Sequence, residues 1–284
     1  MSRYLHIFLI ILSFLEPVSA QSRPPDTTSY VRLIFIANCF TSAENSAFKY
    51  AAANLVADYE REAGHEIVKR IYFDNARQIV DSINRQRLLI RSVDFLSHSR
   101  DDRIGATMTR GKVQYRTSLF ASRQAMQEAK VLTDAEGPAE NLRNSPRMAC
   151  LEEIDFSRFS YDAVIEIHGC HGGAGVDSLP ANICRRLSLA LYMSGKQLAV
   201  VIGHATRANP NTGSTGTHSG MAATSGPGFK ESVLAQDYRH GLRMVYFNGR
   251  TILTTRSPGT VPQSTIVPAI VQAANGKPQP ARSK

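Results

Sequence analysis

The chain has 284 residues, of which 43% are hydrophobic and 20% are charged. It is therefore long enough for one large globular domain or two small ones. The 33 Lys and Arg residues outnumber the 24 Asp and Glu residues, and the formal net charge of +9 favours an anionic partner such as a component of the cell envelope. Nucleic acid is not expected as a partner, because the sequence contains no recognition motif and no interleaving of basic with aromatic residues. Nothing in the sequence specifies an oligomeric state.

The first twenty residues have the pattern of an export signal. Arg3 precedes the apolar run Leu5–Leu15, and Val18-Ser19-Ala20 resembles a signal-peptidase site with its two small residues. The run is shorter than a helix that spans a membrane. We therefore expect residues 1–20 to be a signal peptide and the protein to be exported, either to the periplasm or beyond the cell.

Residues 31–97 alternate between strand and helix patterns. A polar linker over residues 21–30 precedes apolar runs of strand length and segments whose apolar residues recur at helical spacing. The predicted elements are a strand at Val31–Ala37, a helix around Ala47–Val56, a strand at His65–Phe73, a helix that Asp74 or Asn75 caps, and a strand at Ser92–Ser97. This order indicates a doubly wound, mostly parallel sheet.

The pattern continues after an insertion over residues 106–160, in which Lys112–Phe120 suits a hairpin or edge strand and Ser122–Leu132 a helix. The elements predicted next are a strand at Ala163–His168, a helix at Ile183–Met193, a strand at Gln197–Ile202 and a hairpin over Leu242–Thr254 with its turn at Asn248-Gly249. We expect an α/β domain over residues 31–256, with a sheet of about six strands and helices on both faces. A Pro-rich basic tail over residues 257–284 follows, with a short helix at Val267–Ala274.

Two of the predicted strands end in residues that can perform covalent chemistry. The strand at Ala163–His168 is followed by Gly169-Cys170-His171-Gly172-Gly173, and the strand at Ser92–Ser97 is followed by His98. Because the carboxyl ends of parallel strands meet at one edge of a sheet, we expect Cys170 to lie close to His98. An imidazole activates a neighbouring thiol, and backbone N–H groups of a Gly-rich turn can stabilise an oxyanion. The sequence therefore predicts a Cys–His dyad for acyl transfer.

These motifs resemble those of caspase-like cysteine peptidases. Leu96-Ser97-His98-Ser99, followed by Gly105, is similar to the Leu-Ser-His-Gly strand end of that family. Gly169-Cys170-His171-Gly172 is similar to its Ala-Cys-Arg-Gly turn, and Ala51–Leu55 lies where the family has a similar first helix. By order of elements the resemblance covers roughly residues 31–205. It implies a caspase-like sheet and a peptidase that acts on a protein or peptide substrate without a cofactor or metal.

The resemblance also implies a role for each residue of the two motifs. Cys170 would be the nucleophile, His98 the general base and acid, and the N–H groups of Ser99 and Cys170 the oxyanion hole. The residues expected around the substrate are Ser99, Gly169, His168, His171 and Gly172. Ser99 stands where the family has Gly. No Arg lies between Ala37 and Phe48, so the resemblance supports no preference for cleavage after Asp.

Three alternatives remain open at this stage. Cys170 can be a buried small residue or a disulfide partner of Cys184, since four cysteines allow two bridges. His168, Cys170, His171 and His204 can instead bind zinc, although their spacing matches no known zinc motif. In the third alternative Val201–Arg207 is a degenerate nucleophile elbow of a hydrolase, with Ala205 at the Ser position. In that case the protein would be an inactive relative of such hydrolases that only binds a component of the cell envelope.

Overall fold

The computed structural model describes residues 29–38, 42–62, 66–110, 113–128, 148–169, 171–173, 182–205, 242–257 and 259–275. The predicted signal peptide, Cys39 and Cys170 lie outside these residues. So do the end of the predicted tail and the whole of residues 206–241. Among the described helices, none combines the length and the hydropathy that a membrane crossing requires.

The centre of the fold is a seven-stranded mixed sheet. Its strands are β1 (Tyr30–Ala37), β2 (Ile67–Phe73), β3 (Leu89–Leu96), β8 (Phe159–Ile167), β9 (Val200–His204), β10 (Arg243–Phe247) and β11 (Arg250–Thr255). They are ordered β11-β10-β9-β8-β3-β1-β2. Five neighbouring strands of this sheet are parallel, namely β2, β1, β3, β8 and β9. Strand β10 pairs antiparallel with β9, and β11 pairs antiparallel with β10 at the edge of the sheet. The sheet has seven strands rather than about six because both strands of the predicted hairpin join it.

Helices cover both faces of this sheet. The four helices with complete bounds are α1 (Ser42–Glu62), α2 (Ala76–Asn84), α3 (Ile183–Met193) and α4 (Gln263–Ala274). Helix α1 lies on the face that carries Asp94, to which its Tyr59 is hydrogen-bonded. Helix α3 lies on the other face, where Cys184 packs against Gly203. The predicted α/β class, the mostly parallel sheet and the placement of helices are therefore confirmed.

Local signals explain where several elements begin and end. Helix α2 starts at a capping box in which the Asn75 side chain accepts from the Arg77 N–H and Gln78 reaches back to the Asn75 N–H. The hairpin turns at Asn248 and Gly249, with φ angles of 48° and 71°. Both angles suit the predicted tight turn, in which Asn and Gly tolerate a left-handed backbone.

The predicted insertion contains most of a second, smaller sheet. Its strands are β4 (His98–Arg100), β5 (Arg103–Arg110), β6 (Val113–Phe120) and β7 (Ala149–Cys150), in the order β4-β5-β6-β7. The segment predicted as a hairpin or edge strand is thus the second arm of a β5–β6 hairpin. This sheet begins at His98, so its first strand continues directly from the end of β3.

The chain after residue 257 contributes to the core. Helix α4 begins four residues before the short helix predicted at Val267–Ala274. Its residues Ile266, Ala269 and Ile270 are buried and pack in one cluster with Val200 and Ile202 of β9. Sequence periodicity missed the first turn because Pro262 and the polar residues after it resemble the Pro-rich tail.

A buried ion pair connects β10 to the middle of the sheet. Arg243 is fully buried and donates from Nη1 to Oε1 of Glu166 at 2.6 Å. Its Nη2 donates to the carbonyl oxygens of Ser257 at 2.6 Å and Gly259 at 2.7 Å. One side chain therefore holds β10, β8 and the segment that leads into α4.

Replacing Arg243 with Met should strongly destabilise the protein, because the Glu166 carboxylate would remain buried without its partner. We expect the free energy of unfolding to fall by about 3–5 kcal/mol. The double variant Arg243→Met/Glu166→Leu should recover much of this loss, since it removes both charges. Urea unfolding followed by circular dichroism measures both effects. The exposed Arg250 of the same hairpin offers a control, Arg250→Met, and an equal loss in this variant would contradict the interpretation.

Candidate active site

The two strands that carry the predicted catalytic motifs are direct neighbours. β3 and β8 pair in parallel, with Asp94 beside Glu166 and Phe95 beside Ile167. The N–H of His168 donates to the Phe95 carbonyl at 3.0 Å, so the pairing continues one residue past β8. Both strands therefore end at the same edge of the sheet, as the sequence predicts.

Beyond the strand ends the two motifs are in close contact. Gly169 lies so near β4 that an added Cβ would be 2.2 Å from Ser99 Oγ and 2.6 Å from the Ser97 carbonyl oxygen. Only glycine fits this position, because any larger residue would collide with backbone atoms that cannot rotate away. The residue that precedes Cys170 is thus packed against the residues on either side of His98.

The turn that follows Cys170 is held from several directions. His171 is exposed and has a φ of 57°, a left-handed conformation that non-glycine residues seldom adopt. The Gly173 N–H donates to the His204 carbonyl at 2.8 Å, and the Tyr246 hydroxyl donates to the Gly173 carbonyl at 3.0 Å. The Cys184 thiol donates to the Gly172 carbonyl at 2.9 Å. Contacts from β9, β10 and α3 therefore fix the far end of the turn.

His98 lies at the surface of this edge. It is exposed, it pairs with Gly105 in the second sheet, and its ring meets Phe48 of α1 edge to face at 5.9 Å between centroids. Its neighbour Ser99 is buried. An exposed imidazole beside the two strand ends is accessible to a substrate.

His168 lies beneath the same edge and is fully buried. Its Nε2 atom is 2.8 Å from Oδ1 of Asp94 on β3, and Oδ2 of Asp94 accepts from the Tyr59 hydroxyl at 2.5 Å. Burial, together with the Asp94 carboxylate, raises the pKa of Tyr59 well above its usual range, so Tyr59 remains a neutral donor. The predicted role of His168 beside the substrate stays a prediction, because the contacts described are those of a buried polar cluster.

Sequence reasoning did not identify Asp94, Glu166, Tyr59 or Arg243 as parts of this region. The available signal was a charged residue within each of two apolar strand patterns, Val93-Asp94-Phe95 and Ile165-Glu166-Ile167. Charged side chains are seldom buried unless they are paired. A charged residue in each of these two apolar strands therefore indicated that Asp94 and Glu166 have hydrogen-bonding or ionic partners elsewhere in the chain.

The histidines considered as zinc ligands differ in their exposure to solvent. His171 is exposed, whereas His168 and His204 are buried, with 6.5 Å between their ring centroids. Potential ligand atoms of Asp94, Glu166 and His168 do lie within 4.8 Å of one another. However, Tyr59 donates to Asp94 and Arg243 donates to Glu166, so both carboxylates already have protein partners.

Comparisons with known proteins assign no family to the chain: no protein-family model matches it, and neither does any curated protein.

Two of the four cysteines are described, and both are free and buried. Burial and the nearby Glu153 and Glu152 carboxylates raise the pKa of the Cys150 thiol to about 12. Burial alone raises the pKa of Cys184, whose sulfur is engaged with Gly172. Cys184 therefore forms no disulfide in this structure, and neither described thiol is activated as a nucleophile.

These pKa shifts predict which thiols react in the folded protein. Because thiolate is the reactive form, Cys150 and Cys184 should resist iodoacetamide at pH 8 and become labelled only after unfolding in urea. Peptide mass spectrometry distinguishes each cysteine by its tryptic fragment. Labelling of either residue in the folded protein at the rate of a free cysteine would refute the prediction.

The close approach at Gly169 predicts that Gly169→Ala is unusually harmful. We expect it to lower the free energy of unfolding by about 3 kcal/mol, because overpacking against fixed backbone atoms is costly. Gly195→Ala is the matched control: Gly195 has a φ of 79° but nothing within 4 Å of an added Cβ. That variant should cost only about 1 kcal/mol, from its left-handed backbone alone. Equal losses in urea unfolding would show that crowding at Gly169 is unimportant.

Proposed function

We propose that this protein is an exported, caspase-like cysteine peptidase in which Cys170 is the nucleophile and His98 the general base and acid. One observation carries the proposal. Gly169, next to Cys170 in sequence, packs directly against Ser97 and Ser99, the two neighbours of His98. A thiol and an imidazole that extend from these two segments would be close enough to act together.

The sheet order supports the finer assignment of the fold. The parallel strands β2, β1, β3, β8 and β9 deliver their carboxyl ends to one edge, and the antiparallel pair β10–β11 extends the sheet at the β9 side. In open α/β sheets, sites form outside the carboxyl ends of the strands. The motifs that resemble caspase-like peptidases follow the two strands at the middle of this sheet, β3 and β8.

The proposed reaction is hydrolysis of a peptide bond through a thioester. His98 accepts the proton of the Cys170 thiol, the thiolate adds to the carbonyl carbon of the substrate, and the C–N bond breaks as His98 transfers this proton to the departing amine. Water then attacks the thioester carbonyl, with His98 accepting its proton, and the C–S bond breaks as His98 returns a proton to the sulfur, which releases the acid and restores the thiol. Backbone N–H groups of Ser99 and Cys170 are the proposed donors to the oxyanion.

His98 suits the role of base better than the other histidines of this edge. It is exposed, whereas His168 and His204 are buried, and the ring of Phe48 packs against one side of its imidazole. His171 is also exposed but follows the nucleophile directly in a left-handed turn. The proposed substrate is a protein or peptide outside the cytoplasm, and the net charge of +9 favours an acidic one.

The dyad predicts that Cys170→Ala and His98→Ala each abolish peptide hydrolysis. The loss should be at least a thousandfold in kcat, because no other activated thiol is described near the edge. A fluorogenic peptide library measures turnover, and a thiol-reactive peptide probe with mass spectrometry identifies the labelled residue. His98→Ala should change the unfolding midpoint little, because the ring is exposed.

The controls for this experiment distinguish the dyad from its alternatives. Cys184→Ala removes a buried thiol of the same turn region and should retain labelling at Cys170. Equal probe labelling of the wild type and Cys170→Ala would eliminate Cys170 as the nucleophile. Saturable binding of an anionic envelope polymer without any turnover would indicate an inactive binding protein. Stoichiometric zinc that survives dialysis, measured by elemental analysis, would indicate the metal-dependent alternative.

A further inference from the structure

In the buried polar cluster of Asp94, Glu166, Tyr59, His168 and Arg243, the two formal negative charges outnumber the one fixed positive charge. Two carboxylates, Asp94 and Glu166, lie side by side on β3 and β8. Arg243 neutralises one of them through its bond with Glu166. Tyr59 donates a neutral hydroxyl to Asp94 and so adds no charge. A buried carboxylate is strongly unfavourable without a compensating charge, so a cation beside Asp94 would stabilise the cluster.

His168 is the group that can supply this charge. Its Nε2 atom is 2.8 Å from Asp94, and the ligand atoms of Asp94, Glu166 and His168 lie within 4.8 Å of one another. Arg32 packs over the ring of Tyr59 at 4.3 Å, but it forms its own ion pair with Glu66. The Asp94 carboxylate therefore favours the protonated form of this ring.

The cluster contains titratable and charged groups from several elements. On β9, the His204 ring centroid is 6.5 Å away from that of His168. The cluster also contains Tyr59 from α1, Asp94 from β3, Glu166 from β8 and Arg243 from β10, and the Arg243 guanidinium is paired with Glu166.

His168 is also fixed at the start of the nucleophile turn. Its main-chain N–H is bonded to Phe95 and its side chain to Asp94, so one residue is anchored twice to β3. Only Gly169 separates it from Cys170, and two trans peptide units place their Cα atoms at most about 7.6 Å apart. A positive charge close to a thiol favours its thiolate form.

We propose that His168 is a positioning residue that Asp94 holds as an imidazolium, and that this cation anchors the turn and favours the thiolate form of Cys170. The part that concerns Cys170 rests on the proposed function, whereas the charge state of the ring does not. In this arrangement His98 transfers protons at the surface, and His168 acts from below without contact with the substrate.

The first test measures the protonation of the histidine rings in the folded protein. Neutral and doubly protonated histidine rings differ in their ¹⁵N chemical shifts, and ordinary histidines with a pKa near 6.5 are neutral at pH 8. We expect a doubly protonated ring at pH 8 that His98→Ala retains and Asp94→Asn removes. The absence of any doubly protonated histidine in the wild type at that pH would overturn the proposal.

The second test follows the alkylation of Cys170 by iodoacetamide as a function of pH. His168→Gln should slow the reaction at least fivefold at pH 7, whereas the rates should converge near pH 10, where the thiol is ionised in both proteins. Asp94→Asn should act in the same direction. Ile270→Ala, which removes buried atoms of α4 away from the edge, should lower stability without moving the pH midpoint. An unchanged midpoint in a folded His168→Gln variant would refute the proposal.

The outcomes separate this inference from the peptidase assignment. If turnover requires Cys170 but no histidine is doubly protonated at pH 8, only the role of His168 fails. If the imidazolium is present but Cys170→Ala retains full hydrolysis, only the peptidase dyad fails. Alkylation and NMR require no substrate, so neither result depends on knowing the natural target.

Discussion

The pairing of β3 with β8 is the contact on which the rest of the structure depends. These strands are distant in sequence, and the smaller sheet is formed by chain that lies between them. Their parallel register brings Asp94 beside Glu166 and continues past the strand ends through the bond from His168 to Phe95. Because Gly169 then packs against Ser97 and Ser99 without space for a side chain, the register also sets the separation of the two motifs.

The same register requires a buried polar cluster in the middle of an otherwise apolar sheet. On one face, Phe35 of β1 stacks on Phe95 of β3 at 5.3 Å between centroids. On the opposite face, Asp94 and Glu166 meet Tyr59 and Arg243, which come from α1 and β10. Such a cluster contributes less to stability than apolar packing of the same volume. Its effect is to specify which strands and helices meet below the site.

The sequence was sufficient to predict most secondary-structure elements and the sheet edge at which the two motifs meet. It was not sufficient to predict which side chains pack beneath that edge. Apolar runs and the Asn75 and Asn248-Gly249 signals predicted the seven strands of the large sheet and the helices α1 to α4, since these signals are local. The second sheet was only partly recognised, because β4 has three residues and β7 two. The partners of Asp94 were not predictable, since Tyr59 and His168 lie 35 and 74 residues away and no periodicity connects them.

The two histidines of the motifs therefore differ in a way that follows from burial rather than from sequence pattern. His98 is exposed at the start of the second sheet, where water and a substrate can exchange protons with it. His168 has no exposed surface and its Nε2 atom lies 2.8 Å from the Asp94 carboxylate, where the proposed imidazolium would compensate a buried negative charge. A residue that must change its charge in each reaction cycle belongs at the first position, and one that must keep its charge belongs at the second. This division makes the surface histidine the candidate for catalysis and the buried histidine the candidate for positioning.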